Sequence, residues 1–457
     1  MSDPLIPPKP ATRPDGIGRL AHLRRFRHDL FSSQPDRLYN AWMAEFRLPF
    51  FRSFFVNQPE LVDEVLKVRP EDFPKSRIVG GALRSLLGRS VFVTNGDIWR
   101  RQRRIIDPSF EGGRLRDTFP AMLAASQSAV DTLRPDADGR RIEIEAHASH
   151  LAADIIFRTL FSIPITDEIA RRTYSAFRAY QRTQPLMTIG SFFRSPWAIR
   201  LTQRRDTRAH GHELRALLSE LTQKRAKEIR EGVAPNDLAT KIMTTEDPLT
   251  GDHLSTDEMV DQVAIFFLAG HETSASALSW SLYLIGRSPD IQERIFYEIN
   301  LLKDIPHIKF GDLSKLPFTR DVFREVLRLY PPVPMMIREA TQMEEFRNRR
   351  VPVGSQVVLS PFHIQRHRRI WKNPDAFDPD RWARGDEKDA IRSAYLPFSA
   401  GPRVCTGAGF AMVEGVAMLL CLLRAFKVAS FEDHIPQPVA HLTLRSKDGI
   451  YVSLTPR

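Results

Sequence analysis

The stretch Phe398-Ser399-Ala400-Gly401-Pro402-Arg403-Val404-Cys405-Thr406-Gly407 constrains this chain more than any other. A cysteine stands between two glycines, shortly after an arginine, and an apolar run follows at once: Ala411, Met412, Val416, Met418, Leu419, Leu420, Leu422 and Leu423. That run predicts a helix from Gly407 to Phe426, so a helix N-terminus lies within about two residues of the sulfur. Its free N–H groups and positive dipole end favour a thiolate over a thiol, and a thiolate can ligate a metal. Gly401 and Gly407 permit torsions and close approaches that a Cβ blocks, as a flat cofactor lying on a loop requires. Phe398 is suited to cover such a plane and Arg403 to meet a carboxylate at its edge. The competing reading is a small buried hydrophobe ahead of a core helix.

Three other stretches bear on that choice. Ser255 and Glu258 form an S-x-x-E capping box, which opens a helix running without proline to Ser288. At 1.5 Å per residue it spans on the order of 50 Å. Val263 to Ala269 is apolar all round, so the middle is buried, and Gly270, His271, Glu272, Thr273 and Ser274 set polar groups where they are costly. Gly270 weakens the helix by about 1 kcal/mol relative to alanine, as a turn that must open requires. The bland alternative has Thr273 bonding back to the Ala269 carbonyl and Glu272 pairing with an arginine. His271-Glu272 is followed by Ala275 where H-E-x-x-H needs histidine, which excludes a zinc protease.

Phe318 to Tyr330 reads as a helix apolar over most of its circumference, with Arg320 and Arg324 toward solvent. Glu325, one turn from Arg328, is expected to form a buried charge pair that needs further partners. In Trp99-Arg100-Arg101-Gln102-Arg103-Arg104, helical geometry puts Trp99 and Arg103 on one face and Arg100, Arg101 and Arg104 on the other. A solvated basic face with one aromatic anchor competes with any binding role.

F-x-x-G-x-R-x-C-x-G at 398–407, [AG]-G-x-[DE]-T-[TS] at Ala269–Ser274, W-x-x-x-R at Trp99–Arg103 and E-x-x-R at Glu325–Arg328 stand in the order found in the cytochrome P450 family of haem-thiolate monooxygenases. From about residue 40 onward the chain resembles that family. The resemblance implies a mainly α, triangular-prism fold with a small β lobe near the N-terminus. Haem b, iron protoporphyrin IX, is expected between the long central helix and the cysteine loop. Cys405 becomes the axial iron ligand, whose electron donation favours O–O cleavage. Ala269, Phe398 and Gly407 border the haem, while Trp99, Arg103, Arg338 and Arg403 meet its propionates. Thr273 and Glu272 manage the protons. Glu325, Arg328 and Arg381 form a structural triad, and here Trp382 follows Arg381 where the common motif has phenylalanine. Relatives commonly carry a histidine where this chain has Gln365. His363 and His367 read as structural, because Pro361 and the strand-like Val357-Val358-Leu359 argue against a helix there.

The implied reaction uses O2 and two electrons, delivered singly by a separate ferredoxin or flavodoxin with its NAD(P)H reductase. It hydroxylates or epoxidises a small hydrophobic substrate of fatty acid, terpene or steroid class. Val79, Leu83, Leu86, Ile265, Phe266, Ala269, Val333 and Met336 are the candidate pocket residues, and Met335 accompanies them. Arg77 or Arg182 is a candidate anchor for a carboxylate. A peroxide-using relative and a haem sensor are the rival readings; peroxide users typically replace the acid–alcohol pair that Glu272 and Thr273 supply.

Composition narrows the partners. The net charge of +11 comes from arginines scattered over many helices without a nucleic-acid motif, so nucleic acid is disfavoured and an acidic protein partner is expected at Arg100, Arg101 and Arg104. Of the two cysteines, Cys421 lies among leucines and reads as structural; a disulfide to Cys405 would compete with ligation, so none is expected and the compartment is read as reducing. Met1 to Gly16 is proline-rich and lacks the apolar core of a signal or anchor, and no membrane span is read elsewhere. We expect a cytoplasmic monomer with a flexible tail over 1–18 and one catalytic domain over 19–457. Phe73 to Val93 reads as a loop overhanging the substrate. Helices are expected over Phe119–Leu133, with Pro120 in the first turn, over Ala146–Phe161 and over roughly Thr207–Gly232. Thr183 to Trp197 reads either as a mobile roof or as an ordinary packed loop.

Overall fold

A computed structural model describes residues 4–14, 25, 29–48, 51–183, 205–302, 304, 307–440 and 442–457. The long helices are α1 (Arg77–Leu87), α2 (Gly96–Ile106), α3 (Gly113–Leu133), α4 (Ile144–Phe161), α5 (Glu168–Thr183), α6 (Arg205–Arg230), α7 (Thr256–Gly286), α8 (Pro289–Asn300), α9 (Pro317–Leu329) and α10 (Ala408–Ala425). The short strands are β1 (Met43–Leu48), β2 (Phe51–Val56), β3 (Ile142–Glu143), β4 (Met336–Glu339), β5 (Glu344–Phe346), β6 (Arg349–Val351), β7 (Gln356–Leu359), β8 (Phe426–Ser430), β9 (Pro438–Ala440), β10 (Leu444–Ser446) and β11 (Tyr451–Pro456). Of the stretch Thr183–Trp197, all but Thr183 lies outside the described residues.

The axis of the molecule is α7. Its capping box is formed, with Ser255 Oγ accepting from the Glu258 amide and the Glu258 carboxylate accepting from the Ser255 amide. Its most extensive helix contact is with α4. Gly270 sits in that contact, where an added Cβ would overlap the Ile156 side chain. The glycine therefore lets two helices approach, a different reason from the opened turn read in the sequence. Lower down, Trp280 stacks on Tyr330 at 4.0 Å between centroids. α10 is long and apolar enough to cross a membrane by length and composition, and in this fold it lies in the core with Val416 to Leu423 buried.

The sheet of order β1-β2-β7-β4 forms the lobe expected near the N-terminus. β2 runs parallel to β7 and β4 antiparallel to it, with Arg338 opposite Val357. The ladder thus fixes where Arg338 stands. A second sheet, β3-β11-β8, brackets the C-terminal segment, and β9 pairs with β10 in a hairpin.

Three local expectations are corrected. The stretch read as a loop over Phe73–Val93 contains α1. Ser76 Oγ caps it by accepting from the Ile78 amide, and Ile78, Leu83, Leu86 and Leu87 are buried. Gly80 and Gly81 lower its intrinsic helicity by about 1 kcal/mol each, and burial of that apolar face outweighs them. Next, α3 starts at Gly113, so Pro120 lies inside it and not in its first turn; packing against α10 and α4 holds the helix across the missing N–H. Finally, residues 4–14 include a packed strap. The Leu5 carbonyl accepts from the Phe377 amide at 2.9 Å, the Pro8 carbonyl accepts from Tyr330 Oη at 2.7 Å, and Lys9 pairs with Asp375 at 2.7 Å. Proline-rich chain has free carbonyls and little entropy to lose, so docking it is inexpensive.

Candidate active site

The cysteine loop is held from below. The Cys405 amide donates to the Phe398 carbonyl at 2.9 Å, and a 3-10 turn at Gly401–Arg403 rests on residues Glu64–Val68. Gly401 has φ +68°, and a Cβ there would strike the Leu66 carbonyl, so this is the loop glycine that the geometry requires. α10 begins at Ala408, one residue later than the sequence suggested.

Cys405 is exposed, yet burial pushes its thiol above the ordinary cysteine value, against the lowering effects of the Gly407 amide, Arg103 and Lys75. The two facts agree if Sγ opens onto an interior hollow, reached by solvent but enclosed by protein. The helix terminus by itself therefore does not preform the thiolate that the sequence led us to expect; coordination to a metal is what would displace the proton. The middle of α7 is partly open as well. Within an otherwise buried helix, Ala269 is exposed and Gly270 and Thr273 are half-buried. Val333, Met335, Met336 and Phe398 are also half-buried.

Around Cys405 stand more cations than the protein balances. Arg338 is buried, with no hydrogen bond or ion pair to its guanidinium among the described residues, and burial pushes it down to about 10. Burial, then Arg338 and Arg103, push Arg403 down to about 9. The Arg403 guanidinium lies 4.0 Å from the Trp99 ring centroid and donates only to neutral oxygens, the Thr94 carbonyl and Asn95 Oδ1. Lys75, unnoticed in the sequence, lies 3.9 Å from the Phe92 ring centroid, and burial with Arg338, Arg403 and Arg103 pushes it well down. Among the described residues only Arg103 of this group has a carboxylate partner, Asp107 at 2.8 Å, and it also donates to the Val404 carbonyl at 2.8 Å. An exposed thiol near Lys75, Arg338 and Arg403, none of them bonded to a carboxylate among the described residues, fits a flat metal complex carrying carboxylates at one edge.

On α7, Thr273 Oγ1 donates to the Ala269 carbonyl at 2.5 Å. The buried Glu272 carboxylate accepts from Thr443 Oγ1 and Arg445. Both features are those of the bland alternative, so the acid–alcohol pair rests in a locked arrangement. Next to it, Ser274 Oγ binds Glu414 of α10, whose second oxygen has no partner; burial pushes Glu414 up to about 8. A lone acid in the run Met412-Val413-Glu414-Gly415-Val416 was a visible signal that sequence reading passed over. Lys75, Thr443 and Arg445 carried none.

The triad closes as expected. Glu325 receives Arg328 at 2.8 and 2.9 Å and Arg381 at 3.0 Å, all three fully buried, and Arg381 also binds Glu387. Gln365 gains a role: its amide donates to the Leu327 and Arg328 carbonyls and accepts from the Leu396 amide at 2.7 Å, tying the end of α9 to the chain entering the cysteine loop. His363 bonds Ser360 Oγ at 2.8 Å within a one-turn helix, Pro361–Ile364, which the sequence reading had argued against, and His367 stacks on Trp42. Proline at the first position of that turn forfeits no internal bond. Arg100, Arg101 and Arg104 do not form a free basic face. Arg100 binds Glu71 and Asp97, Arg101 binds Glu258, and Arg104 binds the buried Asp247. Arg77 is engaged by Glu339 at 3.1 Å, and Arg182 is exposed.

A cysteine loop against a capped central helix, with a closed Glu-Arg-Arg triad behind it, defines a haem-thiolate protein. The family model described as Cytochrome P450 matches residues 22–453, and the chain belongs to that family. It is 31% identical over 391 residues to cyclooctat-9-en-7-ol 5-monooxygenase of Streptomyces melanosporofaciens, covering 84% of this chain and 82% of that one. It is 28% identical over 401 residues to pentalenene oxygenase of Streptomyces avermitilis, covering 87% of each. Cytochrome P450 4A7 of Oryctolagus cuniculus is 31% identical over 404 residues, covering 83% and 77%. Among solved structures, the haem domain of cytochrome P450DA superposes with TM-score 0.83 at 23% identity, covering 99% of this chain and 98% of that chain. The protein is thus an oxidoreductase of the P450 monooxygenase family, a family that uses haem-thiolate, O2 and redox partners on hydrophobic substrates.

Proposed function

We propose that this chain is one catalytic domain that binds haem b through Cys405 and hydroxylates or epoxidises an uncharged carbocyclic compound of terpene class. The carrying observation is an exposed Cys405 thiol in a loop beside Lys75, Arg338 and Arg403, cations without a carboxylate partner among the described residues. Bound haem supplies the activation of O2 at iron. The chain supplies the rest. Cys405 Sγ would ligate the haem iron, and Arg338, Arg403 and Lys75 would hold the propionates, with Trp99 stacked on Arg403 and Arg103 bracing the loop through the Val404 carbonyl. Ala269, Phe398 and Gly407 would border the group.

Thr273 keeps its proton on the Ala269 carbonyl, which leaves its oxygen able to accept a further hydrogen bond. Glu272 carries protons inward when it leaves Thr443 and Arg445. Terpene class is favoured over fatty acid because Arg77 is already committed to Glu339, while cyclooctat-9-en-7-ol and pentalenene stand in the names of two relatives. Electrons arrive from a separate ferredoxin or flavodoxin system. The pairing of Arg100, Arg101 and Arg104 within the chain moves the site of that encounter away from a simple basic stripe.

The test is the spectrum of the reduced, carbon monoxide-bound protein, followed by NADPH consumption with a surrogate reductase system and a panel of terpenes. We expect a thiolate-type spectrum that is lost in Cys405→Ser and terpene-stimulated NADPH consumption. A wild-type spectrum from Cys405→Ser sinks the ligand assignment, and stimulation by fatty acids alone sinks the substrate class.

A further inference from the structure

The β9–β10 hairpin holds two acids at once. Glu272 of α7 accepts from Thr443 Oγ1 and from the Arg445 guanidinium. Glu145, in the first turn of α4, accepts from the Ser446 amide at 3.2 Å. Consecutive residues of β10 therefore bind the two carboxyls, and Arg445 acts electrostatically on both. Glu272 is 8% exposed, whereas the Arg445 side chain is 38% exposed, so the guanidinium stands between the buried acid and the outside.

We propose that Glu145 is a positioning residue for Glu272: the two acids compete for Arg445, and ionisation of Glu145 loosens the clamp that keeps Glu272 turned away from Thr273. This rests on the reading of Glu272 as the acid that carries protons inward. The hydrogen bonds give the device its geometry. With Glu145 neutral, Arg445 has Glu272 as its carboxylate partner and holds it beside Thr443. With Glu145 ionised, Arg445 is drawn toward the outer acid, and Glu272 keeps only the Thr443 hydroxyl.

The groups facing Glu145 come from each neighbouring element. Glu143 of β3 caps α4 by accepting from the Glu145 and Ala146 amides at 2.9 and 3.1 Å. Arg178 of α5 donates to Ser149 Oγ at 3.2 Å, and that hydroxyl also meets His271 of α7 at 2.7 Å. Burial, with Glu143, pushes Glu145 up to about 7, and Arg445 and Arg178 pull the other way. His271 carries no charge near neutrality, since burial and then Arg178 and Arg445 push it down to about 3. His150 is also pushed down, by burial first. The working sign follows: below neutrality the clamp is closed, and above it Glu272 is released.

The experiment uses purified holoenzyme with a surrogate ferredoxin and ferredoxin reductase, without substrate, and measures hydrogen peroxide formed per NADPH consumed across neutral pH. Protons that arrive on time at oxygen divert electrons from peroxide to water, so the wild-type peroxide yield is expected to step down as pH rises. Glu145→Gln is expected to lose the step and stay at the low-pH level, Glu145→Asp to restore it, and Arg445→Met to abolish it. A second readout needs no turnover: in a Glu414→Gln background, which removes the other raised buried acid, the infrared band of a protonated carboxyl should vanish with the same midpoint and be missing once Glu145→Gln is added. A step in Glu145→Gln matching that of wild type overturns the proposal. If Glu272→Gln leaves the peroxide yield untouched at every pH, the role of Glu272 itself falls and takes this inference with it, an outcome distinct from failure at Glu145 alone.

Discussion

Two groups of cations in this molecule, buried or half-buried, differ in what balances them. Arg328 and Arg381 share Glu325, Arg381 has Glu387 as well, and Arg328 also donates to the Gln365, Pro374 and Ala376 carbonyls. Arg338, Arg403 and Lys75 have no carboxylate of their own among the described residues, and Arg338 and Arg403 act on Lys75 as like charges. A network whose task is structural closes on itself, because an unpaired buried charge costs several kcal/mol. A binding site leaves that cost standing until an anion arrives. On the proposed function, the difference would separate scaffold from receptor inside one fold.

The sharpest way to break this contrast is at Glu325. Glu325→Gln keeps the shape and strands two arginines, so a loss of about 3–5 kcal/mol in unfolding free energy is expected from chemical denaturation. A loss below about 1 kcal/mol means that the triad is no more than a surface-grade pair. Glu414 offers an intermediate case, a buried acid with Ser274 as its single hydrogen-bond partner. Its folded-state value is raised to about 8, so the stability its neutral form provides is complete in mild acid and is lost as pH climbs toward 8. Wild type should lose up to roughly 1.4 kcal/mol per pH unit relative to Glu414→Gln in that window, and run parallel to it above. Parallel curves throughout would show that Glu414 ionises freely.

How much of this was legible before the structure follows from which residues act through local pattern. The capping box at Ser255, the spacing of Glu325 and Arg328, and the glycine-flanked Cys405 are short-range signals, and each lands where expected. α1 was missed because Gly80 and Gly81 look like loop chemistry, while the burial that outweighs them comes from distant helices. Lys75, Thr443 and Arg445 were invisible for a related reason. Each is an ordinary residue made special by a partner far along the chain, Arg338 and Arg403 for the first and Glu272 for the others. The role of Gln365 is of the same kind, since its three partners lie on two other segments. The helix-terminus argument for the Cys405 thiolate reckoned only with the nearby amide, whereas burial acts in the opposite direction on the free thiol.

A direct probe of the open cluster is Arg338→Met. Removing an uncompensated buried cation should leave the haem-free chain unharmed or stabilise it by about 1–3 kcal/mol. The same change should speed transfer of haem to a haem-free acceptor globin, because the propionate edge loses a partner. A destabilised haem-free chain with unaltered haem release would place Arg338 in the scaffold class instead.

The smallest effect is expected at Arg77, which lies close by in the chain but belongs to the balanced class. Its side chain is 71% exposed and bonded to Glu339 at 3.1 Å, in the range where ion pairs contribute about 0–1 kcal/mol. The exposed Arg77 and buried Arg338 lie on adjacent segments, linked by the bridge between Lys75 and Arg338. If proximity to the site were what mattered, both substitutions would loosen haem alike. If charge balance matters, Arg77→Met should match wild type in haem release and in binding of any hydrophobic ligand, with stability changed by no more than about 1 kcal/mol. Haem release from Arg77→Met as fast as from Arg338→Met would erase the distinction between compensated and uncompensated cations.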